Sequence, residues 1–146
     1  MEDIQVDTNI LLRSAEPSHP THYLAVNAVK RLLANDDRVC LIPQNLIEFW
    51  NVATRPVDNN GLGWTPSKTD IEVSRLESLL TVLSDSQAIY REWRKVVLNN
   101  SVQGKQVHDA RIVAAMNVHQ VTKLLTFNAK DFKRFQHITL IDPKTL

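Results

Sequence analysis

The chain reads Ile4-Gln5-Val6-Asp7-Thr8-Asn9-Ile10-Leu11-Leu12 near its start. The alternation over residues 4–6 predicts a short strand, and the apolar residues 10–12 predict a helical turn directly after it. Open α/β sheets bind ligands at the carboxyl ends of their strands, which is where Asp7 lies. Alternatively, Asp7 caps the helix that begins at about Asn9. Both interpretations place Asp7 at a strand-to-helix junction.

Beyond this segment, strands and helices continue to alternate. Residues 39–42 form a continuous apolar run of the kind found in buried parallel strands. Further strands are predicted at 81–83, 124–127 and 138–141, helices at 21–34, 43–53, 67–80, 87–99 and 107–119, and a short helical turn at 129–135. Strands that are separated by helices pair in parallel. The pattern therefore predicts a parallel sheet with helices on both faces.

The composition is that of one soluble globular domain. The chain has 146 residues, 43% hydrophobic and 23% charged, and we expect residues 1–146 to form a single domain. We expect a cytoplasmic protein without membrane contact, because no secretory signal is evident and no apolar run approaches the ~18 residues of a membrane span. The one cysteine, Cys40, excludes an internal disulfide, and no Cys and His spacing suggests zinc.

The charge is distributed unevenly along the chain. The net charge of +1 argues against a uniformly basic nucleic-acid-binding protein. However, residues 91–134 contain nine Lys and Arg against three Asp and Glu, a net charge of +6, while the remainder carries −5. A basic segment suits a polyanionic ligand, although a set of solvated helix faces would give the same count.

Four acidic positions stand out from the rest. Besides Asp7, Glu48 interrupts the apolar start of the third predicted helix, although a single acid there also fits a solvated position. Asp109 shares its helix face with apolar residues, and a buried carboxylate is costly unless it meets a cation or hydrogen-bond donors. Asn128 and Asp131 follow a late strand with a spacing that also matches a capping box.

These positions predict a metal site at one edge of the sheet. Three of the four follow strands, and the helix that Asp109 opens can point to the same edge. Carboxylates that share a cleft repel and raise each other's pKa, and a hard divalent cation removes that cost. Oxygen ligands without Cys or His suit Mg²⁺ or Mn²⁺ rather than zinc, and such sites are typical of phosphate chemistry.

At these residues the sequence resembles the PIN-domain family, in particular the VapC-type ribonuclease toxins of bacterial toxin–antitoxin pairs. The resemblance covers nearly the whole chain. It rests on four segments in order, namely Val6-Asp7-Thr8-Asn9-Ile10-Leu11-Leu12, Pro43-Gln44-Asn45-Leu46-Ile47-Glu48-Phe49-Trp50-Asn51-Val52, His108-Asp109-Ala110-Arg111-Ile112-Val113-Ala114-Ala115 and Leu125-Thr126-Phe127-Asn128-Ala129-Lys130-Asp131-Phe132. No single segment is specific, but the four in this order and spacing are.

The resemblance implies a three-layer α/β/α sandwich with about five parallel strands, and Mg²⁺- or Mn²⁺-dependent hydrolysis of RNA phosphodiester bonds. It implies four acidic residues that hold the metal, directly or through water, and carry catalysis: Asp7, Glu48, Asp109 and Asp131. It leaves open whether Asn128 or Asp131 completes the site. Neighbouring polar side chains would orient the carboxylates or the waters of the metal: Thr8, Asn9, Thr126 and Asn128.

The resemblance also implies partners. The RNA substrate would meet basic residues of the segment that contains the third and fourth acids: Lys105, Arg111, Lys130, Lys133 and Arg134. VapC-type toxins are normally silenced by a cognate antitoxin protein and commonly form homodimers, so we expect both here.

Two other functions remain open from the sequence. Phosphohydrolases of the haloacid-dehalogenase type also place an Asp after their first strand. They typically carry a second Asp two residues later, where this chain has Asn9. The other alternative is a catalytically inactive interaction module that keeps the PIN fold and a groove for a partner.

Overall fold

A five-stranded parallel sheet forms the centre of the protein in the computed structural model, which describes residues 1–146. The strands are β1 (Asp3–Val6), β2 (Arg38–Leu41), β3 (Thr81–Val82), β4 (Lys123–Leu125) and β5 (Thr139–Ile141). Their order in the sheet is β3-β2-β1-β4-β5, and every neighbouring pair is parallel. All five strands therefore end at the same edge, and β1 ends in the middle of it.

Six helices connect the strands. They are α1 (Thr8–Ser14), α2 (His22–Ala34), α3 (Pro43–Thr54), α4 (Pro66–Leu79), α5 (Gln87–Asn99) and α6 (Val107–Val118). Single 3₁₀ turns lie at Val57–Asn59, Gly104–Gln106, Ala129–Asp131 and Pro143–Thr145. None of these helices is long and apolar enough to span a membrane.

The helices divide into two layers because the side chains of each strand alternate between the two faces of the sheet. Val39 and Leu41 of β2 pack with α1, α2, α3 and α4 in one apolar core. Cys40, between them, packs with α5 and α6 in a second core on the opposite face. Each core contains 16 buried residues, so both faces of the sheet are covered. The predicted three-layer α/β/α sandwich is confirmed.

The register of β1 against β4 brings distant parts of the chain together at the carboxyl edge. Val6 pairs with Leu125, and the Asp7 backbone N–H donates to the Leu125 carbonyl at 2.9 Å. The residues that follow the two strands, Asp7 and Thr126, therefore lie side by side. This register determines where the candidate site forms.

Several predicted boundaries differ from those in the structure. Helix α1 begins at Thr8 rather than Asn9, because Asp7 itself is the capping residue. The helical turn expected over 129–135 is shortened to the 3₁₀ turn Ala129–Asp131. The loop after α3 folds back onto that helix, and a Cβ on Gly61 would lie 2.0 Å from the Arg55 carbonyl oxygen. A side chain at position 61 would therefore disrupt this loop.

Candidate metal centre

Asp7 is the most enclosed of the four acids, with 7% of its surface exposed. Its Oδ1 accepts a hydrogen bond from the Thr8 backbone N–H at 2.8 Å, which caps α1. Its Oδ2 accepts from Thr126 Oγ1 at 2.7 Å and from Asn9 Nδ2 at 3.3 Å. The same carboxylate therefore serves as the cap and lies at the end of the central strand, so the two interpretations of Asp7 are compatible.

The pKa of Asp7 reflects a balance of opposing effects. Burial raises the pKa of Asp7 to about 6, while the hydrogen bonds from Thr126 and Thr8 lower it. The negative charges of Glu48 and Asp131 raise it further. Asp7 thus lies in the field of the other acids as well as in the core.

Glu48 is held at both of its carboxylate oxygens. Helix α3 places Gln44 one turn before Glu48, and the Gln44 amide donates to Glu48 Oε2 at 3.0 Å. Thr8 Oγ1 donates to Glu48 Oε1 at 2.6 Å. The Gln44 amide also donates to the His108 carbonyl at 2.8 Å, which links α3 to the start of α6. The orientation of Glu48 therefore depends on two neighbouring helices.

Two buried amide side chains, those of Gln5 and Asn45, hold Thr8 in position through hydrogen bonds. Gln5 Nε2 donates to Asn45 Oδ1 at 2.8 Å, and Asn45 Nδ2 donates to Thr8 Oγ1 at 3.1 Å. Because a hydroxyl has one proton and two lone pairs, Thr8 can accept from Asn45 while it donates to Glu48. Sequence reasoning missed Gln5, Gln44 and Asn45. The signal available in the sequence was a polar residue, Gln5, between Ile4 and Val6 of the predicted strand, and the structure buries it completely.

Asp109 and Asp131 differ from the first two acids because no side chain donates a hydrogen bond to either. Asp109 lies in the first turn of α6, and Asp131 ends the 3₁₀ turn after β4. Burial raises the pKa of Asp109 to about 7, with further contributions from the charges of Asp7, Asp131 and Glu48, while Lys105 lowers it. Both acids line a polar cavity of about 430 Å³, together with Lys105, Gln106, Asn128 and Lys130. Their oxygens are available to a ligand in that cavity.

The four carboxylates influence one another but form an open cluster. No three His, Cys, Asp or Glu side chains lie close enough together to bind one metal ion. The donor set still suits a hard divalent cation, since it consists of oxygens and the charges repel one another when uncompensated. Mg²⁺ is commonly held by one or two carboxylates and several waters, which fits an open arrangement of this kind.

Three of the four polar neighbours predicted from the sequence contact an acid with their side chains, and the fourth contacts Thr126. Thr8, Asn9 and Thr126 each contact a candidate acid, as described above, and Asn9 Oδ1 also accepts from the Phe127 N–H at 3.4 Å. The side chain of Asn128 is exposed, whereas its backbone N–H donates to Thr126 Oγ1 at 2.9 Å. Asn128 therefore fixes Thr126 through its backbone and leaves its amide free in the cavity.

The predicted RNA-binding residues fall into two groups. Lys105 and Lys130 line the cavity of Asp109 and Asp131, and Lys133 is exposed without an ion pair. Arg111 donates to Gln44 Oε1 at 3.1 Å and lies 3.4 Å from Asp85, so its guanidinium is already engaged by the protein. Arg134 donates to Gln106 Oε1 at 2.6 Å. Contact with RNA stays a prediction for all five.

Comparison with known proteins agrees with the fold and with the segments that carry the acids. The family model of the PIN domain matches residues 4–138. None of the curated proteins matches the sequence.

Several solved structures share the architecture at low sequence identity. A chain of the DNA-bound VapBC structure from Salmonella typhimurium aligns with a TM-score of 0.72 and 18% identity, covering 98% of this chain and 99% of that one. A chain of VapBC2 from Rickettsia felis aligns with a TM-score of 0.71 and 16% identity, covering 96% and 98%. VapC20 from Mycobacterium tuberculosis, a toxin that cleaves the sarcin-ricin loop, aligns with a TM-score of 0.58 and 19% identity, covering 83% and 86%.

These structural similarities establish the fold, whereas the family model also matches the sequence. That match begins in β1 and includes the segments of all four candidate acids. The chain belongs to the PIN domain family.

Proposed function

We propose that the protein is a Mg²⁺- or Mn²⁺-dependent endoribonuclease and the toxin of a toxin–antitoxin pair. The observation that carries the proposal is the placement of Asp7, Glu48, Asp109 and Asp131, which come from four separate segments. Thr8 donates hydrogen bonds to both Asp7 and Glu48 after the central strand, and Asp109 and Asp131 line one cavity. Family membership supports nuclease chemistry, and the similarity to VapC20, a toxin that cleaves the sarcin-ricin loop, supports RNA as the substrate class.

The four carboxylates would hold the cation, either directly or through water. A bound Mg²⁺ or Mn²⁺ supplies a water of lowered pKa and neutralises charge on the phosphate oxygens. Thr126, Asn9 and the Thr8 N–H hold the Asp7 carboxylate in one orientation. No Ser, Cys or His nucleophile is required for this chemistry.

The surroundings of the centre suit a phosphodiester. Lys105 and Lys130 place two ammonium groups in the cavity that contains Asp109 and Asp131. They would attract the phosphate group toward carboxylates that would otherwise repel it. Once a bound cation neutralises the acids, the two lysines of this cavity therefore favour an anionic substrate.

The haloacid-dehalogenase alternative receives no support from the geometry around Asp7. In that mechanism the second position after the nucleophile provides an acid–base carboxyl. Here it is Asn9, whose amide donates to Asp7 Oδ2 and whose carbonyl accepts from Phe127. An inactive interaction module remains the alternative that the cleavage assay below decides.

An antitoxin partner and a homodimer belong to the same proposal. Several structural neighbours are toxin–antitoxin complexes, among them one from Klebsiella pneumoniae with a TM-score of 0.66 and 18% identity. Two apolar clefts provide surface for a partner or a second copy. One is lined by Leu11, Val29 and Leu79 among others, and the other by Leu46, Ile47 and Trp50 among others.

The decisive experiment measures RNA cleavage by the purified protein with Mg²⁺ or Mn²⁺, with EDTA, and after substitution of the acids. Asp7→Asn and Asp109→Asn should abolish cleavage while the circular dichroism spectrum stays unchanged. Asp70→Asn is the matched control, because Asp70 is exposed on α4 and its side chain forms no hydrogen bond. Cleavage that survives EDTA or both substitutions would exclude this function.

The toxin role is tested separately by expression in a bacterial host. We expect the wild-type chain to arrest growth, and the Asp109→Asn variant to leave growth unaffected. The product of the neighbouring gene should relieve the arrest when it is co-expressed. Normal growth at high wild-type expression would exclude the toxin role without excluding nuclease activity.

A further inference from the structure

A second polar cavity, of about 330 Å³, adjoins the candidate metal centre. Asn128 lines both this cavity and the one that contains Asp109 and Asp131. Asn9, which donates to Asp7 Oδ2, also lines the second cavity. The two cavities therefore share Asn128, and the second one reaches Asn9, which contacts Asp7. By volume the second cavity would hold on the order of ten water molecules, which is sufficient for a phosphate group with part of its sugar.

The second cavity contains basic groups that lie outside the basic segment identified in the sequence. Arg13 reaches it from α1, and Lys144 reaches it from the 3₁₀ turn near the carboxyl terminus. The Lys144 side chain is exposed and forms no ion pair, so its ammonium is free to meet an anion. Arg13 binds Glu16 through Nη1 at 2.7 Å, which leaves its Nε and Nη2 groups as donors.

His19 adds a hydrogen-bond donor, and its own hydrogen bonds indicate which ring nitrogen carries the proton. The Thr21 backbone N–H donates to His19 Nδ1 at 3.1 Å, so Nδ1 is an acceptor. In a neutral imidazole the proton must then lie on Nε2. No group of the protein accepts a hydrogen bond from this Nε2–H. His19 therefore lines the cavity and carries an N–H donor that has no partner in the protein.

One carboxylate also lines the cavity. Asp142 is exposed, and its Oδ1 accepts from the Lys144 backbone N–H at 2.9 Å, which caps the final 3₁₀ turn. This hydrogen bond engages part of its charge. The residues that line the cavity carry two positive charges, on Arg13 and Lys144, and one negative charge, on Asp142, while Glu16 pairs with Arg13 from outside the lining. The lining itself therefore has a net charge of +1 and a surplus of donors.

We propose that this cavity binds a backbone phosphate of the RNA next to the one that is cleaved, an inference that rests on the proposed nuclease function. An RNA strand whose scissile phosphate lies at the four carboxylates must extend away from these carboxylates in both directions. Lys105 and Lys130 meet the strand on one side of Asn128, and Arg13 and Lys144 meet it on the other. The centre thus has basic groups on both sides, as a polyanion that crosses four acids requires.

The test measures binding and cleavage in Lys144→Gln and Arg13→Gln. Lys144→Gln is the cleaner variant, because its side chain has no polar partner in the protein. Arg31→Gln is the matched control, since Arg31 is exposed on α2, forms no ion pair and does not line the cavity. Binding of a labelled single-stranded RNA oligonucleotide is measured by fluorescence anisotropy at several salt concentrations, in an Asp109→Asn background that prevents cleavage.

We expect Lys144→Gln and Arg13→Gln each to raise Kd roughly three- to tenfold, and to reduce the slope of log Kd against log salt by about 0.7. In the active background, KM should rise by a similar factor while kcat stays within about twofold. Arg31→Gln should behave as the wild type. Equal Kd values for all three variants and the wild type would overturn the proposal.

The outcomes separate this inference from the function on which it rests. A wild-type protein that cleaves RNA normally, with variants that bind RNA as it does, overturns the subsite alone. A wild-type protein that cleaves no RNA overturns the nuclease function, yet loss of oligonucleotide binding in Lys144→Gln would still support the anion site. Variants that bind RNA normally but no longer bind a co-expressed antitoxin would assign the cavity to the protein partner and overturn the proposal.

Discussion

Two carboxylates at the candidate centre, Asp7 and Asp109, have raised pKa values but differ in their surroundings. Asp7 accepts three hydrogen bonds and caps α1, so its position is fixed by the fold. Asp109 receives no hydrogen bond from a side chain, although burial and its acidic neighbours raise its pKa to about 7. Asp109 thus contributes little to the folded structure, and its charge destabilises that structure unless a cation is present.

Replacing Asp109 should therefore separate stability from function. We expect Asp109→Asn to raise the Tm of the metal-free protein at pH 8 by a few degrees, since about 1 kcal/mol corresponds to roughly 2–4 °C at this chain length. The increase of Tm on addition of Mg²⁺ should shrink or disappear in the variant. Differential scanning calorimetry with EDTA and with Mg²⁺ measures both, and Asp70→Asn serves as the control. A lower metal-free Tm in Asp109→Asn would contradict the expectation.

The same pKa values predict how stability depends on pH. The pKa of an unfolded Asp is about 3.8, whereas burial first and neighbouring charges second raise the folded values to about 6 for Asp7 and about 7 for Asp109. Between these limits the folded state binds more protons than the unfolded state, so its stability falls as the pH rises from about 4 to about 7. We expect the Tm in EDTA to fall across this range, relative to a double variant with Asn at both positions.

Protons and metal should compete for these carboxylates. The Tm increase caused by Mg²⁺ should therefore be small at pH 5 and largest at pH 8, where both carboxylates are ionised. Melting curves at fixed Mg²⁺ across that range measure the effect. A Tm increase that is independent of pH would show that Asp7 and Asp109 do not bind the ion.

Single residues were predictable where local pattern determines their role. Asp7 could be identified because it directly follows an apolar strand, and Asp109 because it interrupts an apolar helix face. Arg13, His19 and Lys144 could not be identified, because their proximity depends on how α1 and the carboxyl-terminal turn pack. No local pattern in the sequence contains that information.

Among the elements, α3 contributes three polar side chains to the centre: Gln44, Asn45 and Glu48. Gln44 and Glu48 lie on one side of it, one turn apart, and the buried Asn45 faces β1. Asn45 Oδ1 accepts from Gln5 Nε2 and from the Ile42 backbone N–H, and Asn45 Nδ2 donates to Thr8. One side chain thus connects the start of α3, the central strand and the start of α1.

Removing the Asn45 side chain should affect both stability and catalysis. Asn45→Ala leaves two buried donors and one acceptor unpaired, so we expect a loss of about 2–4 kcal/mol in the free energy of unfolding. We also expect kcat to fall more than KM rises, because Thr8 and then Glu48 lose their orientation. Urea denaturation and steady-state kinetics measure these effects. Asn51→Ala is the control, since Asn51 is exposed on the same helix; equal effects of the two substitutions would exclude this role.

The elements themselves were largely predictable, but their side-chain networks were not. Apolar periodicity indicates α3, and Pro43 fits its first turn. The bond from Gln44 to the His108 carbonyl joins two helices that are 64 residues apart in the sequence. Such bonds depend on the packing of α3 against α6, which the periodicity of either helix alone does not specify.

For the molecule as a whole, the distribution of charge matters more than its total. Lys105 and Lys130 lie in the cavity of the centre, although the net charge is only +1. We expect Lys105→Gln and Lys130→Gln to raise KM for RNA several-fold at low salt. The difference in KM from the wild type should disappear at high salt, because salt screens the charges. Lys95→Gln is the matched control, because Lys95 belongs to the same basic segment but is exposed on α5 outside the cavity. A similar KM for all three variants would argue against local attraction.

The sheet order lies beyond what local patterns predict. Alternating strands and helices predict a parallel sheet, and the structure confirms it. That β1 is flanked by β2 and β4 cannot be read from the pattern of any single strand. The contact between Asp7 and Thr126 follows from this order, so the sequence alone could only suggest it.

The central position of β1 also has a consequence for synthesis of the chain. One neighbour of β1 is β4, whose residue Leu125 pairs with Val6, so Asp7 meets Thr126 only after the chain up to β4 has emerged from the ribosome. At translation rates of 5–20 residues per second this delay is on the order of ten seconds. A nascent chain that lacks β4 therefore cannot assemble the centre, and any activity is withheld until β4 has left the ribosome.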